Sequence, residues 1–150
     1  MNMQENLKPT GRVKIVHTNA AGETIHEFEV PNLVTAAGKV HIAQKIKATT
    51  NSPVSMTHMA IGTGTAAAVS GDTTLGTEGG RVTLTDTVVG VTNTVQYTAT
   101  FGTSIGTGAV TEAGIFNASS GGTMLCRTVF PVVNKAAGDT IAITWNVTVS

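Results

Sequence analysis

The stretch DTIAITWNVTV, residues 139–149, decides the fold class of this protein. Apolar and polar residues alternate along it, and a period of two is typical of a β-strand with one buried face and one face in water. The apolar series consists of Ile141, Ile143, Trp145, Val147 and Val149. We therefore predict a core strand here, with an outer face lined mainly by threonine.

The same pattern continues outward along the chain. Val95, Tyr97, Ala99 and Phe101 alternate with polar residues in the run NTVQYTATF. Glycine-rich connections, which are typical of turns, separate this run from its neighbours. The other strand-like runs are MTHMAIG before residue 63, RVTLTDTVV from Arg81, AVTEAGIFN from Ala109 and TMLCRTVF from Thr123.

The N-terminal part predicts a hairpin and a helix. The runs RVKIVHT and TIHEFEV flank the connection NAAGE, which indicates a hairpin over 11–30. Thr35 is a suitable N-cap for a helix over about 35–47. The residues that recur at helical spacing, and that we expect to face the core, are Leu33, Ala36, Val40, Ala43 and Ile46, with Lys39, Lys45 and Lys47 mostly in water.

Composition agrees with a β-rich fold. The chain has 27 Thr and 17 Gly but only six aromatic residues, a balance that favours strands and tight turns. We predict about eight strands and one short helix in a single antiparallel β-sandwich or jelly-roll-like domain over 11–150, whose β-rich part is 54–150. Residues 1–10 lack periodicity and contain Pro9, so we expect an extended N-terminal arm.

The charge balance disfavours several classes of partner. The chain has nine Lys and Arg and nine Asp and Glu, so its net charge is zero, and only 12% of its residues are charged. Without a basic excess we expect no nucleic-acid partner. No apolar run is long enough to span a bilayer, and the N-terminus is too polar for a signal peptide, so we also expect no membrane partner. A chain with little net charge repels its own copies weakly, which favours a homo-oligomer.

Histidine and carboxylate residues are the candidates for a catalytic or metal site. His17 and His26 are placed to lie on facing strands of the hairpin, but neither they nor His41 and His58 have a third ligand at a useful spacing. Glu23, Glu27 and Glu29 form the only acidic cluster, and the last two alternate with apolar residues and so belong to a solvent face. We expect no metal and no cofactor.

Two glycine motifs resemble nucleotide-binding loops only in part. Around Gly38-Lys39 the first glycine of a phosphate loop is replaced by Leu33, and Val40 replaces the hydroxyl residue. Gly62-Thr63-Gly64 follows a strand, but no helix pattern begins after it. We interpret this second motif as a turn or loop.

Three isolated residues need a structural explanation. Cys126 is the only cysteine, which excludes an internal disulfide, and nothing near it indicates a lowered thiol pKa. Arg81 and Arg127 stand alone in a charge-poor half of the chain. They are placed to pair with a carboxylate, such as Glu78 or Glu112, or to contact another subunit.

Three segments, in order, resemble small structural proteins of tailed bacteriophages. They are MTHMAIGTGTAAAVSGDTTLGTE, VQYTATFGTSIGTGAVTEAGIFN and GGTMLCRTVFPVVNKAAGDTIAITWNVTV. The features that carry the resemblance are the blocks 58–64 and 111–117 and the closing strand with Ile143-Thr144-Trp145. The resemblance covers roughly Val30 to the C-terminus and implies a virion component, on the capsid or in the tail. It implies no catalytic residues.

We therefore expect a non-enzymatic virion protein that acts as a capsid cement or decoration protein by bridging capsid subunits. Its expected partners are the major capsid protein and copies of itself, or alternatively tail proteins. The expected location is the capsid surface, or alternatively the tail, after assembly in the host cytoplasm. Contacts repeated by symmetry would hold it by avidity. The contact residues that we expect near the arm are Leu7, Lys8, Pro9 and Arg12.

The alternative is a tail, baseplate or tail-fibre adaptor that binds a host receptor or glycan. Its binding loops would be 62–71 and 102–108, and Trp145 and Tyr97 would stack on a sugar. The alternation of both aromatic residues within strands favours a core role instead. An enzyme is the third possibility, and it is disfavoured because no spacing brings a nucleophile, a base and an orienting group together.

Overall fold

The structure is a computed structural model that describes residues 7–47, 50–90 and 92–150. In these residues the fold is mainly β, with two antiparallel sheets and one short helix. The strands are β1 (Pro9–Thr18), β2 (Thr24–Pro31), β3 (Leu33–Val34), β4 (His58–Gly62), β5 (Glu78–Thr83), β6 (Asp86–Val89), β7 (Thr94–Phe101), β8 (Gly108–Phe116), β9 (Met124–Lys135) and β10 (Thr140–Val149), and the helix is α1 (Ala36–Lys47).

Each sheet has five strands. The first has the order β2-β1-β10-β7-β6 and the second has the order β3-β9-β8-β4-β5. The hairpin predicted over 11–30 is confirmed as β1 and β2, with His17 opposite His26. β10, the strand predicted from 139–149, lies at the centre of the first sheet between β1 and β7.

Side chains from both sheets share one core. In β10 the buried residues alternate as the sequence predicts, and Trp145 is fully buried between Val13 of β1 and Tyr97 of β7. Ile61 of β4 and Ile115 of β8 belong to the same cluster from the second sheet. Burial of this apolar surface is the main source of stability for such a fold.

α1 buries a different face from the one that the sequence predicts. The predicted cap is confirmed, because the Gly38 N–H donates to Thr35 Oγ1 at 2.9 Å. The buried residues of the helix are Gly38 and His41, whereas Val40 and Ile46 are 55% and 77% exposed. The prediction that the stripe of Leu33, Ala36, Val40, Ala43 and Ile46 faces the core from one helix was therefore wrong, and Leu33 lies in β3.

Gly38 is the physical reason for this difference. A Cβ at this position would collide with the carbonyl oxygen of Leu125 in β9, so only glycine lets the helix backbone lie directly on that strand. Close backbone approach, rather than apolar periodicity, selects the buried face of α1. The helix has 12 residues, and in the described part of the chain no helix is long and apolar enough to cross a lipid bilayer.

The run RVTLTDTVV, predicted as one strand from Arg81, forms parts of two strands in different sheets. β5 pairs with β4, and β6 pairs with β7. The chain changes sheets at Leu84 and Thr85, whose N–H groups donate to the carbonyls of Thr57 and Thr98. A period of two does not reveal such a crossing, because the alternation continues through it.

The predicted arm is only partly within the described residues. Residues 1–6, where an extended arm is expected, lie outside the described residues. β1 begins at Pro9, two residues earlier than predicted, and the Lys8 backbone forms two hydrogen bonds with the Ser150 backbone. We call the end of the molecule that carries Pro9, Val149 and α1 the helix end.

Candidate functional site

The long connection between β4 and β5, residues 63–77, forms the most elaborate polar site in the described residues. It packs on the face of the second sheet that is turned away from the common core. There Leu75 joins Ala60, Phe116 and Met124 in a separate small apolar cluster. The connection is therefore a packed layer of its own, and the polar side chains beneath it lie out of contact with solvent.

Glu112 of β8 holds this connection in place. Its Oε1 accepts the N–H groups of Gly64 at 2.8 Å and Thr77 at 2.7 Å, and its Oε2 accepts the Gly76 N–H at 2.9 Å. The side chain has no exposed surface. Each of these hydrogen bonds is charge-assisted because its acceptor is a carboxylate. One residue therefore fixes three points of the connection.

Arg127 of β9 completes the site. Its guanidinium donates to Glu112 Oε2 from Nε at 3.0 Å and from Nη2 at 2.9 Å. Nη1 reaches Asp72 at 2.9 Å, and Nη2 also reaches the carbonyl of Ala66 at 3.0 Å. We call Glu112, Arg127 and Asp72 the buried clamp, because together they tie the connection 63–77 to the second sheet.

Hydrogen bonds decide the charge of Glu112. Burial by itself raises its pKa, but the N–H groups of Thr77 and Gly76, the Arg127 guanidinium and the Gly64 N–H outweigh burial and hold the pKa below its ordinary value. Glu112 is therefore ionised at neutral pH. Its bonding capacity is already used by the protein, so the clamp is suited to holding a loop and not to proton transfer.

The glycine motif 62–64 has a steric explanation in this site. A Cβ at Gly64 would lie 2.5 Å from Glu112 Oε1, and a Cβ at Gly62 would lie 2.7 Å from the same atom. Side chains at these positions would displace the carboxylate from its N–H donors. Thr63 and Gly64 lie in the connection, as the interpretation of this motif as a loop predicts, whereas Gly62 is the last residue of β4. Both glycines make room for the clamp.

The two arginines have carboxylate partners within the chain. Arg127 pairs with Glu112, and Arg81 pairs with Glu78 through two bonds of 2.7 and 2.9 Å. Both pairings were among the alternatives that the sequence left open. Asp72 was missed, although a charged Glu112 inside an apolar strand pattern was a signal that further polar partners had to be present.

The histidines are dispersed, apart from one pair. His17 Nε2 lies 2.8 Å from Asp139 Oδ2, and both residues are buried. The His26 ring meets the His17 ring edge-on at 5.9 Å. His41 lies in α1, and His58 contacts Thr57. In the described ranges no group of three or more metal-ligating side chains is present.

Asp139 was not predicted as a functional residue. Its carboxylate accepts a bond from His17 and from the Ala136 N–H at 2.9 Å, and these bonds lower its pKa despite burial. The pair therefore joins the turn before β10 to the end of β1. This position is structural, since the contact closes the turn between neighbouring segments.

The remaining candidates, Glu27, Glu29 and Cys126, are either paired on the surface or buried. Glu27 pairs with Lys14 at 2.7 Å and Glu29 pairs with Arg12 at 3.0 Å, on the solvent face of β1 and β2 as predicted. Cys126 is fully buried, and burial raises the pKa of its thiol, which leaves it unreactive.

The predicted contact residues near the N-terminus lie in or beside β1. Leu7 is 65% exposed and precedes the strand. Lys8 is held by Ser150, and Pro9 lies opposite Val149 at the helix end. Arg12 is mostly exposed and bonded to Glu29. The structure thus brings Leu7, Lys8 and Pro9 together at one end, with Arg12 a short way along the strand.

The two aromatic residues considered for glycan stacking belong to the core side of the first sheet. Trp145 has no exposed surface. Tyr97 packs against the core, and burial raises its pKa to about 12. Trp145 therefore has the predicted core role, whereas Tyr97 is partly buried and also lines a groove beside α1.

Comparison of the chain with protein-family models, with curated proteins and with solved structures found no match in any of the three. The resemblance described from the sequence therefore stays a prediction.

Proposed function

We propose that this protein is a non-enzymatic structural component of a tailed-phage virion and acts as a capsid cement or decoration protein. Its two sheets would form a β-sandwich of jelly-roll type. It would bind the major capsid protein and neighbouring copies of itself at subunit boundaries. Each contact would be weak, and the repetition of contacts over the capsid lattice would supply the strength.

One observation carries the proposal. The segments on which the phage resemblance rests contribute the members of the buried clamp: Asp72 from the first, Glu112 from the second and Arg127 from the third. What these segments share is thus a way to hold a long connection rigidly. A rigid scaffold suits a protein that must resist capsid expansion, because little ordering entropy is then lost on binding.

The N-terminal segment supports the same role. Leu7 is exposed, and the backbone hydrogen bonds between Lys8 and Ser150 fix the chain just after it. Leu7 is therefore available for contact with a partner. In this proposal Leu7, Lys8, Pro9 and Arg12 form part of the capsid contact.

Co-sedimentation with capsids stripped of decoration protein, beside isolated tails, tests the proposal. We expect saturable binding to capsids at a stoichiometry that matches the lattice. Leu7→Ser should weaken this binding about tenfold, because a central apolar contact is lost. Ile25→Ser is the matched control, since Ile25 is also an exposed apolar residue but lies at the opposite end of the β1–β2 hairpin.

Each other outcome has a definite meaning. Binding to tails alone would overturn the cement role and place the protein in the tail. Binding to neither particle would overturn the virion role. Equal binding by the Leu7 and Ile25 variants would show that the N-terminal segment is not part of the contact.

A further inference from the structure

A groove opens at the helix end between α1 and the two sheets. Its volume is about 340 Å³, within the range of sites that receive a ligand or a large side chain. Ile42 and Ile46 of α1, Met56, Tyr97 and Val149 line it. Its walls are therefore largely apolar and come from separate parts of the chain.

The apolar surface continues beyond the groove. Val89 of β6 lies opposite Val95, which lines the groove, so both side chains are on the same face of the sheet, and Val89 is 76% exposed. Val54, just before the groove residues Ser55 and Met56, is 63% exposed. These exposed valines extend the apolar surface past the groove, which favours a protein partner over a small molecule.

The charge around the groove is positive. Lys45 lines it, and Lys39 and Lys47 lie on the same helix, which has no acidic residue. Within the described residues the ion pairs involve other cations and none of these lysines. Burial, together with the adjacent Lys45, lowers the pKa of His41, so the lysines supply the charge.

Among the described residues, no Asp or Glu lines the groove. The carboxylates of the clamp, of the β1–β2 face and of the turn before β10 are engaged by Arg127, Arg12, Lys14 and His17. Asp86 lies at the opposite end of β6 from Val89. A second copy that met this surface with its own α1 would bring like charges together. The complementary partner is instead an acidic one.

We propose that this groove is the docking site for an acidic, amphipathic segment of the virion protein that the chain binds. One large apolar side chain of that segment fills the groove beside Ile46, and neighbouring carboxylates pair with Lys45 and Lys47. This inference rests on the proposed function for the identity of the partner. It adds the chemistry by which the partner is recognised.

Capsid binding by a double variant gives the first test. Lys45→Gln with Lys47→Gln should weaken co-sedimentation about fivefold, and Ile46→Ser should weaken it about tenfold. The matched control, Ala21→Glu with Thr103→Glu, makes the same change in net charge at exposed positions outside the groove. Binding should also weaken as salt increases, and less steeply in the lysine variant.

A peptide assay gives a second test that needs no virion. The probe is a ten-residue peptide in which glutamate pairs alternate with leucine-phenylalanine pairs, and the control probe has lysine in place of glutamate. We expect saturable binding of the acidic peptide only, with NMR shifts at Ile46, Tyr97 and Val149, and loss of binding in the lysine variant.

The two tests separate the two proposals. Capsid binding that the groove variants leave unchanged, with no saturable peptide binding, would overturn the docking site and leave the proposed function standing. Peptide binding at the groove without binding to capsids or tails would overturn the proposed function and leave the docking site standing. Equal binding of the basic peptide would overturn the role of charge.

Discussion

Glu112 is ionised and has no exposed surface, and a charge in such a position is tolerated only when hydrogen bonds and an opposite charge compensate its lost hydration. Arg127 and three backbone N–H groups provide that compensation. The same contacts hold residues 63–77 on the second sheet. Glu112 thus stabilises this connection, and its replacement would leave the buried charge of Arg127 without this partner.

Replacement of Glu112 by Gln should lower the free energy of unfolding by about 3 kcal/mol, because Arg127 keeps its charge in a buried site. Urea denaturation at neutral pH measures this change. The matched control is Glu29→Gln, which removes an exposed pair with Arg12 and should cost less than about 1 kcal/mol. Equal losses in the two variants would show that the clamp does not stabilise the fold.

At the scale of elements, α1 depends on a single glycine. Its predicted apolar stripe is exposed, and its backbone instead lies on β9 where Gly38 leaves room for the Leu125 carbonyl. This orientation also creates the groove, because it leaves Ile46 at the rim while Ile42 packs against the core. The docking surface is therefore a consequence of how the helix is seated.

Gly38→Ala should destabilise the protein by about 1–3 kcal/mol, although alanine is the better helix former, because the helix must move away from β9. Gly71→Ala is the matched control. No atom lies within 4 Å of a Cβ built at Gly71, so this variant should be neutral or slightly stabilising.

Urea denaturation and NMR shifts of the groove residues measure both variants. A Gly38→Ala protein as stable as wild type, with unchanged shifts at Ile42 and Leu125, would contradict the packing explanation.

At the scale of the whole molecule, buried carboxylates link stability to pH. Glu112 and Asp139 both have pKa values below their ordinary values of 4.5 and 3.8 in the folded chain. The unfolded chain therefore takes up protons at a higher pH than the folded chain does. Their contribution is complete above the ordinary values and is lost as the pH falls through the folded ones.

We expect the free energy of unfolding to begin to fall below the ordinary pKa of histidine, 6.5, because burial lowers the pKa of His41 and the unfolded chain takes up that proton first. It should fall further below about pH 4.5, where the two carboxylates titrate. Urea denaturation at a series of pH values measures this profile. The Glu112→Gln variant should show a flatter decline in the acid range, since one titrating group is gone. A decline as steep as that of wild type would mean that Glu112 does not contribute to the pH dependence.

Much of the fold follows from local sequence. The alternation in 139–149, the hairpin over 11–30 and the Thr35 cap are confirmed, because strand alternation and helix capping depend on residues a few positions apart. The placement of Glu27 and Glu29 on a solvent face is confirmed for the same reason. Local spacing also left Glu112 and Glu78 as possible partners of the two arginines.

Tertiary structure alone decided the face that α1 buries, the sheet change at 84–85, and the clamp that joins Arg127 to Asp72 across 55 residues of sequence. Each of these three features depends on contacts between backbone or charged atoms of segments that are distant in the sequence. Periodicity records which side of an element is apolar, but it does not record which backbone comes close enough to require glycine. The groove and the link from Arg127 to Asp72 both depend on such long-range contacts, and for that reason the sequence predicted neither, although it offered Glu112 as a partner of Arg127.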